Sequence, residues 1–178
     1  MIADVSVFDA AADLLDYPAP ERLAASRAAA ELALAGLPDC AGALEPLCAL
    51  LRTGTVEELQ ESYCEAFDNT ADRALEVGWH AFGENYARGS FLVFMREHLR
   101  ELGVPESGEL PDHLSSVLRV AARLDDEAAR VVIGDLAIPA VRKILEGFGA
   151  KASPWRGAVV LALAVLECGT GNKEVFGV

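Results

Sequence analysis

Glu109, Asp112 and His113 bring three ionisable side chains together in the run Glu109-Leu110-Pro111-Asp112-His113-Leu114. Two carboxylates beside an imidazole can pass protons, or they can accept the paired hydrogen bonds of an arginine. Pro111 suits the first turn of a helix, where its missing N–H costs nothing. In that setting the carboxylates stand at the positive end of the helix dipole, and capping accounts for them without any ligand. His80 and Glu84 are four residues apart, but Gly83 between them ends the helix, so the two side chains need not share a face. A histidine there ordinarily bonds a neighbouring carbonyl or carboxylate.

The remaining candidates for chemistry do not assemble. His80, His98 and His113 fall in three different expected elements, and Cys40, Cys48, Cys64 and Cys168 show neither a CxxC pair nor a histidine at ligand spacing. No zinc or iron–sulfur signature follows, and buried thiols in a reducing compartment explain the cysteines. There is no GxSxG, HExxH or strand-borne GxGxxG, and Gly169-Thr170-Gly171-Asn172-Lys173 lacks the length and final hydroxyl of a phosphate loop. The residues point to binding rather than catalysis, with no metal and no cofactor of the chain's own.

The elements that must position these residues are helical. Of 178 residues, 52% are hydrophobic and few are clustered β-branched ones, so an all-α, single-domain helical bundle over residues 1–168 is expected, followed by a tail at 169–178. The net charge of −13 argues against nucleic acid and anionic membranes. It favours a basic partner, or serves solubility alone. The start Met1-Ile2-Ala3-Asp4 lacks the basic and apolar regions of a secretory signal, and the longest apolar run, Ala158 to Leu166, is too short to span a bilayer. A cytoplasmic protein without membrane insertion is expected.

Helical periodicity opens near Ser6 and closes at Pro18, and alanine-rich helices follow over Glu21 to Leu37 and Ala41 to Leu51. Thr55 and Glu58 have the spacing of a capping box for a helix over Val56 to Phe67. That helix puts Leu59, Tyr63, Ala66 and Phe67 on one face and Glu57, Glu61 and Glu65 on the other, the latter a solvated face or a site for a basic peptide. Asp68 to Thr70 can cap a short helix marked by Leu75, Trp79 and Phe82, with Gly83 as a left-handed C-cap. Phe91, Met95, Leu99 and Leu102 line the next helix, and Leu114, Val117, Leu118, Ala121 and Leu124 the one after Pro111. Pro139 marks a helix boundary, and Pro154-Trp155 opens a last helix so uniformly apolar that it should run through the centre.

Tyr63…Phe67-Asp68, His80-x-x-Gly83-Glu84, Arg88-Gly89, Gly103 and the Glu109-to-Leu114 run, in that order, resemble the NarJ-like assembly chaperones of respiratory nitrate reductase. These belong to the wider NarJ, TorD and DmsD type of molybdenum-enzyme chaperone. Leu14-Leu15-Asp16-Tyr17-Pro18 is similar to the family's opening helix and turn, and the likeness covers about residues 10 to 125. The resemblance implies an all-helical, non-enzymatic cytoplasmic chaperone. Its implied partner is the cofactor-free catalytic subunit of a molybdenum oxidoreductase, held by a basic or twin-arginine-like N-terminal leader until molybdenum cofactor is inserted. A homodimer is compatible with it. Two positions depart from the pattern: Ser115 stands where the nitrate reductase group usually has proline, and Arg119 where an acidic residue is common.

The resulting expectation is an apolar groove near Tyr63, Phe67, Trp79 and Leu114 that takes an amphipathic client segment. Asp68, Glu84, Glu109 and Asp112 would receive its basic residues, with His80, Arg88 and His113 organising the groove. The competing reading is a small helical enzyme or carrier built on His80, His113 and nearby carboxylates.

Overall fold

A computed structural model describes residues 4–169 and shows α-helices, short 3-10 turns and no strand among them. In chain order the helices are α1 (Val5–Asp13), α2 (Leu23–Gly36), α3 (Ala41–Thr53), α4 (Val56–Phe67), α5 (Val77–Phe82), α6 (Tyr86–Glu101), α7 (Leu114–Ala121), α8 (Asp126–Arg130), α9 (Ile138–Phe148) and α10 (Arg156–Gly169). One hydrophobic cluster joins them. The tail expected at 169–178 begins at the last residue of α10 and otherwise lies outside the described residues.

The centre is α10, which buries Val159, Leu161, Leu163, Val165 and Leu166 and packs against α1, α3 and α9. Each such side chain contributes about 1.5–3 kcal/mol on removal from water. Gly157 lets α10 approach α3 closely, because a Cβ there would stand 2.1 Å from the Ala43 carbonyl oxygen. Against α1 lies α7, and between them runs a ladder of charge: Arg123 meets Asp9 at 2.7 Å, and Arg119 meets Asp13 at 2.5 Å and Asp16 at 2.7 Å.

The expected capping box at α4 is present in both halves, Glu58 N to Thr55 Oγ1 at 3.2 Å and Thr55 N to Glu58 Oε2 at 2.8 Å. Leu59, Tyr63, Ala66 and Phe67 are buried, and Glu57, Glu61 and Glu65 are exposed. Thr70 makes no side-chain cap, in contrast to the expectation. Gly83 does take a positive φ of 59°, but its ψ of −136° places it in the mirror of extended backbone, not the left-handed helical region.

Two boundaries differ from the sequence reading. The helix expected from Pro111 starts at Leu114, because the residues before it are recruited elsewhere. Val77 N–H donates to the Asp112 carbonyl and Leu114 N–H to the Leu75 carbonyl, an antiparallel bridge between Glu76 and His113. Asp112 therefore lies outside the first turn, and His113 itself caps α7 through the Ser115 amide. Pro139, expected at a boundary, sits in the first turn of α9, and the chain from α8 continues into it through a π-helical stretch, Val131–Ala137. There Ile138 N–H bonds back five residues to Ile133, and the wider register accommodates a ring that would collide with an ordinary i−4 carbonyl.

Candidate functional site

A cleft of about 750 Å³ opens where the end of α4, the 68–76 segment and the approach to α7 converge with the loop after α1. Tyr17, Tyr63 and Phe67 form its aromatic wall, and Ala71, Ala74 and Leu75 its apolar floor. Asp68, Glu76 and Glu109 supply three carboxylates, and among the described residues no lysine or arginine lines it.

Tyr63 is the pivot of the wall. Its ring meets Tyr17 at 5.5 Å, Phe67 at 4.9 Å and Trp155 at 5.0 Å, all edge to face, which suits aromatic quadrupoles. Its hydroxyl donates to the Leu15 carbonyl at 2.9 Å. Burial, then the negative charges of Glu109, Asp16, Asp68 and Glu76, push that phenol well above its ordinary range, so it remains a donor. Trp155 is fixed in turn by a 2.9 Å bond from Nε1 to Ser62 Oγ.

The carboxylates crowd one another. Burial first, then the charges of Glu76, Asp68 and Asp16, raise the Glu109 carboxyl above its usual range. Cys64, one turn before Asp68, is pushed up to about 11 mainly by its hydrogen bond to that carboxylate, and so stays a thiol. His113 is buried, with Nδ1 3.3 Å from the Ser115 amide and 2.8 Å from Ser115 Oγ. Burial chiefly lowers its imidazole to about 4, leaving it neutral at physiological pH. A neutral ring, aromatic faces and excess negative charge are chemically suited to a cationic, partly apolar side chain.

Of the residues singled out from sequence, Tyr63, Phe67, Asp68, Glu109 and His113 line the cleft together. The others stand elsewhere. Trp79 is half-buried behind the floor, its Nε1 donating to the Ala71 carbonyl at 3.2 Å. His80 Nε2–H donates to the Ala74 carbonyl at 2.7 Å, and burial lowers its pKa, so it braces the floor without opening onto the cleft. Glu84 is exposed in the turn between α5 and α6. Asp112 is wholly buried and takes Arg88 Nε at 3.0 Å, which removes both from the rim. Leu114 is fully buried core. Among the described residues, no three of His, Cys, Asp and Glu gather as a metal-binding group.

The sequence reading does not assign Tyr17, Thr70, Ala71, Ala74, Leu75 or Glu76 to the cleft, and all six line it. Tyr17 carried a signal, since it stands in the Leu14-to-Pro18 run that resembles the family's opening turn. Glu76 carried none, because only the long-range bridge to His113 brings it to the cleft.

The family model for the nitrate reductase delta subunit matches residues 35–160, well over half of the chain. The chain belongs to that family. Its members are assembly chaperones for nitrate reductase, in agreement with the resemblance carried by the Tyr63-to-Leu114 motifs. No curated protein matches the chain. The family match spans α4, the 68–76 segment and the approach to α7, and so most of the cleft, while Tyr17 lies before it. Among the described residues no single helix is long and apolar enough to cross a membrane.

Proposed function

We propose that the chain acts in the cytoplasm on the cofactor-free catalytic subunit of nitrate reductase, and that the cleft beside Tyr63 holds that subunit's N-terminal leader. The observation that carries this reading is the union of an aromatic wall with Asp68, Glu76 and Glu109 in one opening that, among the described residues, no lysine or arginine lines. An amphipathic segment lays apolar residues on Tyr17, Tyr63 and Phe67 and gives an arginine or lysine to the carboxylates. Holding the leader keeps the client from premature folding while molybdenum cofactor, the client's cargo, is inserted.

Titration of the purified chain with a synthetic peptide of the client's leader tests this directly. Binding that is weakened both in Tyr17→Ala and in the Glu76→Gln, Glu109→Gln double variant is expected. Binding indifferent to all three changes assigns the client to another surface. Asp112 is unsuited to the same experiment, since its replacement disturbs a buried pair and reads out stability.

A further inference from the structure

Ser115 and Arg119 lie one turn apart on α7: Arg119 meets Asp16 at 2.7 Å, and Ser115 Oγ stands 2.8 Å from His113 Nδ1. Asp16 is buried, 5% exposed, in the loop after α1, and Tyr17 of the cleft wall follows it directly. Arg119 grips its carboxylate with Nη2 at 2.7 Å and Nη1 at 3.4 Å, and Arg22 adds a short contact from the other side. Burial alone would raise the Asp16 carboxyl, but Arg119, then Ser115 and Arg22, outweigh it and hold the group charged.

The same two α7 residues also bear on His113, which lines the cleft. His113 has its Nδ1 2.8 Å from Ser115 Oγ, and its ring feels the charges of both Asp16 and Arg119. Meanwhile the Leu15 carbonyl is tied to the Tyr63 hydroxyl. The segment Leu15-Asp16-Tyr17 is thus pinned by α4 on one side and by α7 on the other. A buried carboxylate that loses Arg119 is left to Arg22 on its other side, and settling onto that one partner moves the loop that carries Tyr17.

We infer that Ser115 and Arg119 are positioning residues for the cleft: through Asp16 and His113 they fix the separation of Tyr17 from His113, and so select which client side chains the cleft admits. This rests on the cleft being the leader site. Neither residue lines the cleft, so both act through others. Removing Arg119 need not detach α1, because Asp9 remains paired with Arg123 and the apolar faces of α1 and α7 are unchanged.

The test uses the full chain labelled with fluorotyrosine, whose three tyrosines, Tyr17, Tyr63 and Tyr86, give separate fluorine signals, together with nitrogen NMR of the His113 ring. In Ser115→Ala and Arg119→Gln the Tyr17 and His113 signals shift while the exposed Tyr86 does not, and affinity for the leader peptide falls about tenfold, or 1.4 kcal/mol. Arg123→Gln, which lies beyond the end of α7 and pairs with Asp9 rather than Asp16, moves none of them. If Arg119→Gln does not fold, Arg119→Lys, which keeps the charge and loses the fork, is read in its place. Unmoved Tyr17 and His113 signals in Ser115→Ala and the Arg119 variant overturn the inference, as do equal shifts in Arg123→Gln. Shifted signals in a chain that binds no leader peptide at all uphold the positioning role and remove the leader-binding reading instead.

Discussion

Arg88 Nε meets Asp112 Oδ2 at 3.0 Å, and the carboxylate it meets is fully enclosed, with Oδ1 lacking a hydrogen-bond partner among the described residues. The pair joins α6 to the residue whose carbonyl accepts Val77 N–H, so it braces the bridge that shapes the cleft floor. Breaking a buried pair from one side leaves an uncompensated charge.

Arg88→Ala is therefore expected to destabilise the fold by about 3 kcal/mol, read as a lower urea midpoint. Asp112→Asn removes the charge together with the strong bond and costs less. Gly78→Ala acts on the same place, since its Cβ would stand 2.5 Å from Asp112 Oδ2 and 3.1 Å from Phe91. Overpacking there costs about 1–3 kcal/mol. A Gly78→Ala chain as stable as the parent would show that the Asp112 side chain has room to move.

Arg73 is buried and, among the described residues, has no carboxylate within ion-pair distance, and its role is evident from its other contacts. Its guanidinium donates to the carbonyls of Ala66 at 2.5 Å and Glu65 at 3.1 Å, at the C-terminal end of α4, and to Gly147 at 3.4 Å in α9. It also lies 5.4 Å from the Phe148 ring centre. The cation answers the negative end of the α4 dipole and ties α9 to it. Arg73→Met keeps much of the volume and strands those carbonyls, at a cost of about 1–3 kcal/mol. Thermal denaturation checks it, and an unchanged midpoint would mean that water replaces the guanidinium freely.

His113 makes stability depend on pH. The imidazole titrates near 6.5 in the unfolded chain and at about 4 in the fold, where burial opposes its charge. Between those values the unfolded chain binds a proton that the folded chain refuses, so the contribution is full above 6.5 and is lost as pH falls towards 4. The slope is about 1.4 kcal/mol per pH unit. His113→Asn retains an acceptor for the Ser115 amide and removes this slope. Urea denaturation across that window compares the two chains, and identical slopes would mean that the ring is already solvated in the fold.

Local chemistry was legible in the sequence wherever short spacing decided the outcome. The Thr55 and Glu58 box, the buried Tyr63 and Phe67 face of α4 and the central place of α10 all depend on contacts within a few turns or on composition. The start of α7 did not, because the backbone of Val77 and Leu75 captures the Asp112 carbonyl and the Leu114 N–H that a longer helix would have used. That capture also turns Asp112 inward. From sequence an Asp beside a His on a polar run reads as a rim group, and only Gly78, which leaves space for it, hints otherwise. Glu76 and Tyr17 join the cleft through contacts far apart along the chain, which periodicity does not report.

The crowded carboxylates of the cleft give the last prediction. Glu109 is raised by burial and by Glu76, Asp68 and Asp16, so its charged form is disfavoured while the cleft is empty. A guanidinium placed among them reverses this, so that at acidic pH, where part of Glu109 is protonated, leader binding releases protons from it. Affinity for a basic leader falls as pH drops through the raised range, and added salt weakens it by screening. Glu109→Gln abolishes the part of the pH dependence due to this residue, and with Glu76→Gln it lowers affinity about tenfold at neutral pH with helicity unchanged. Calorimetry in buffers of different ionisation enthalpy counts the proton directly. No proton release, or affinity that rises on acidification, would place the client's basic residue away from Glu109.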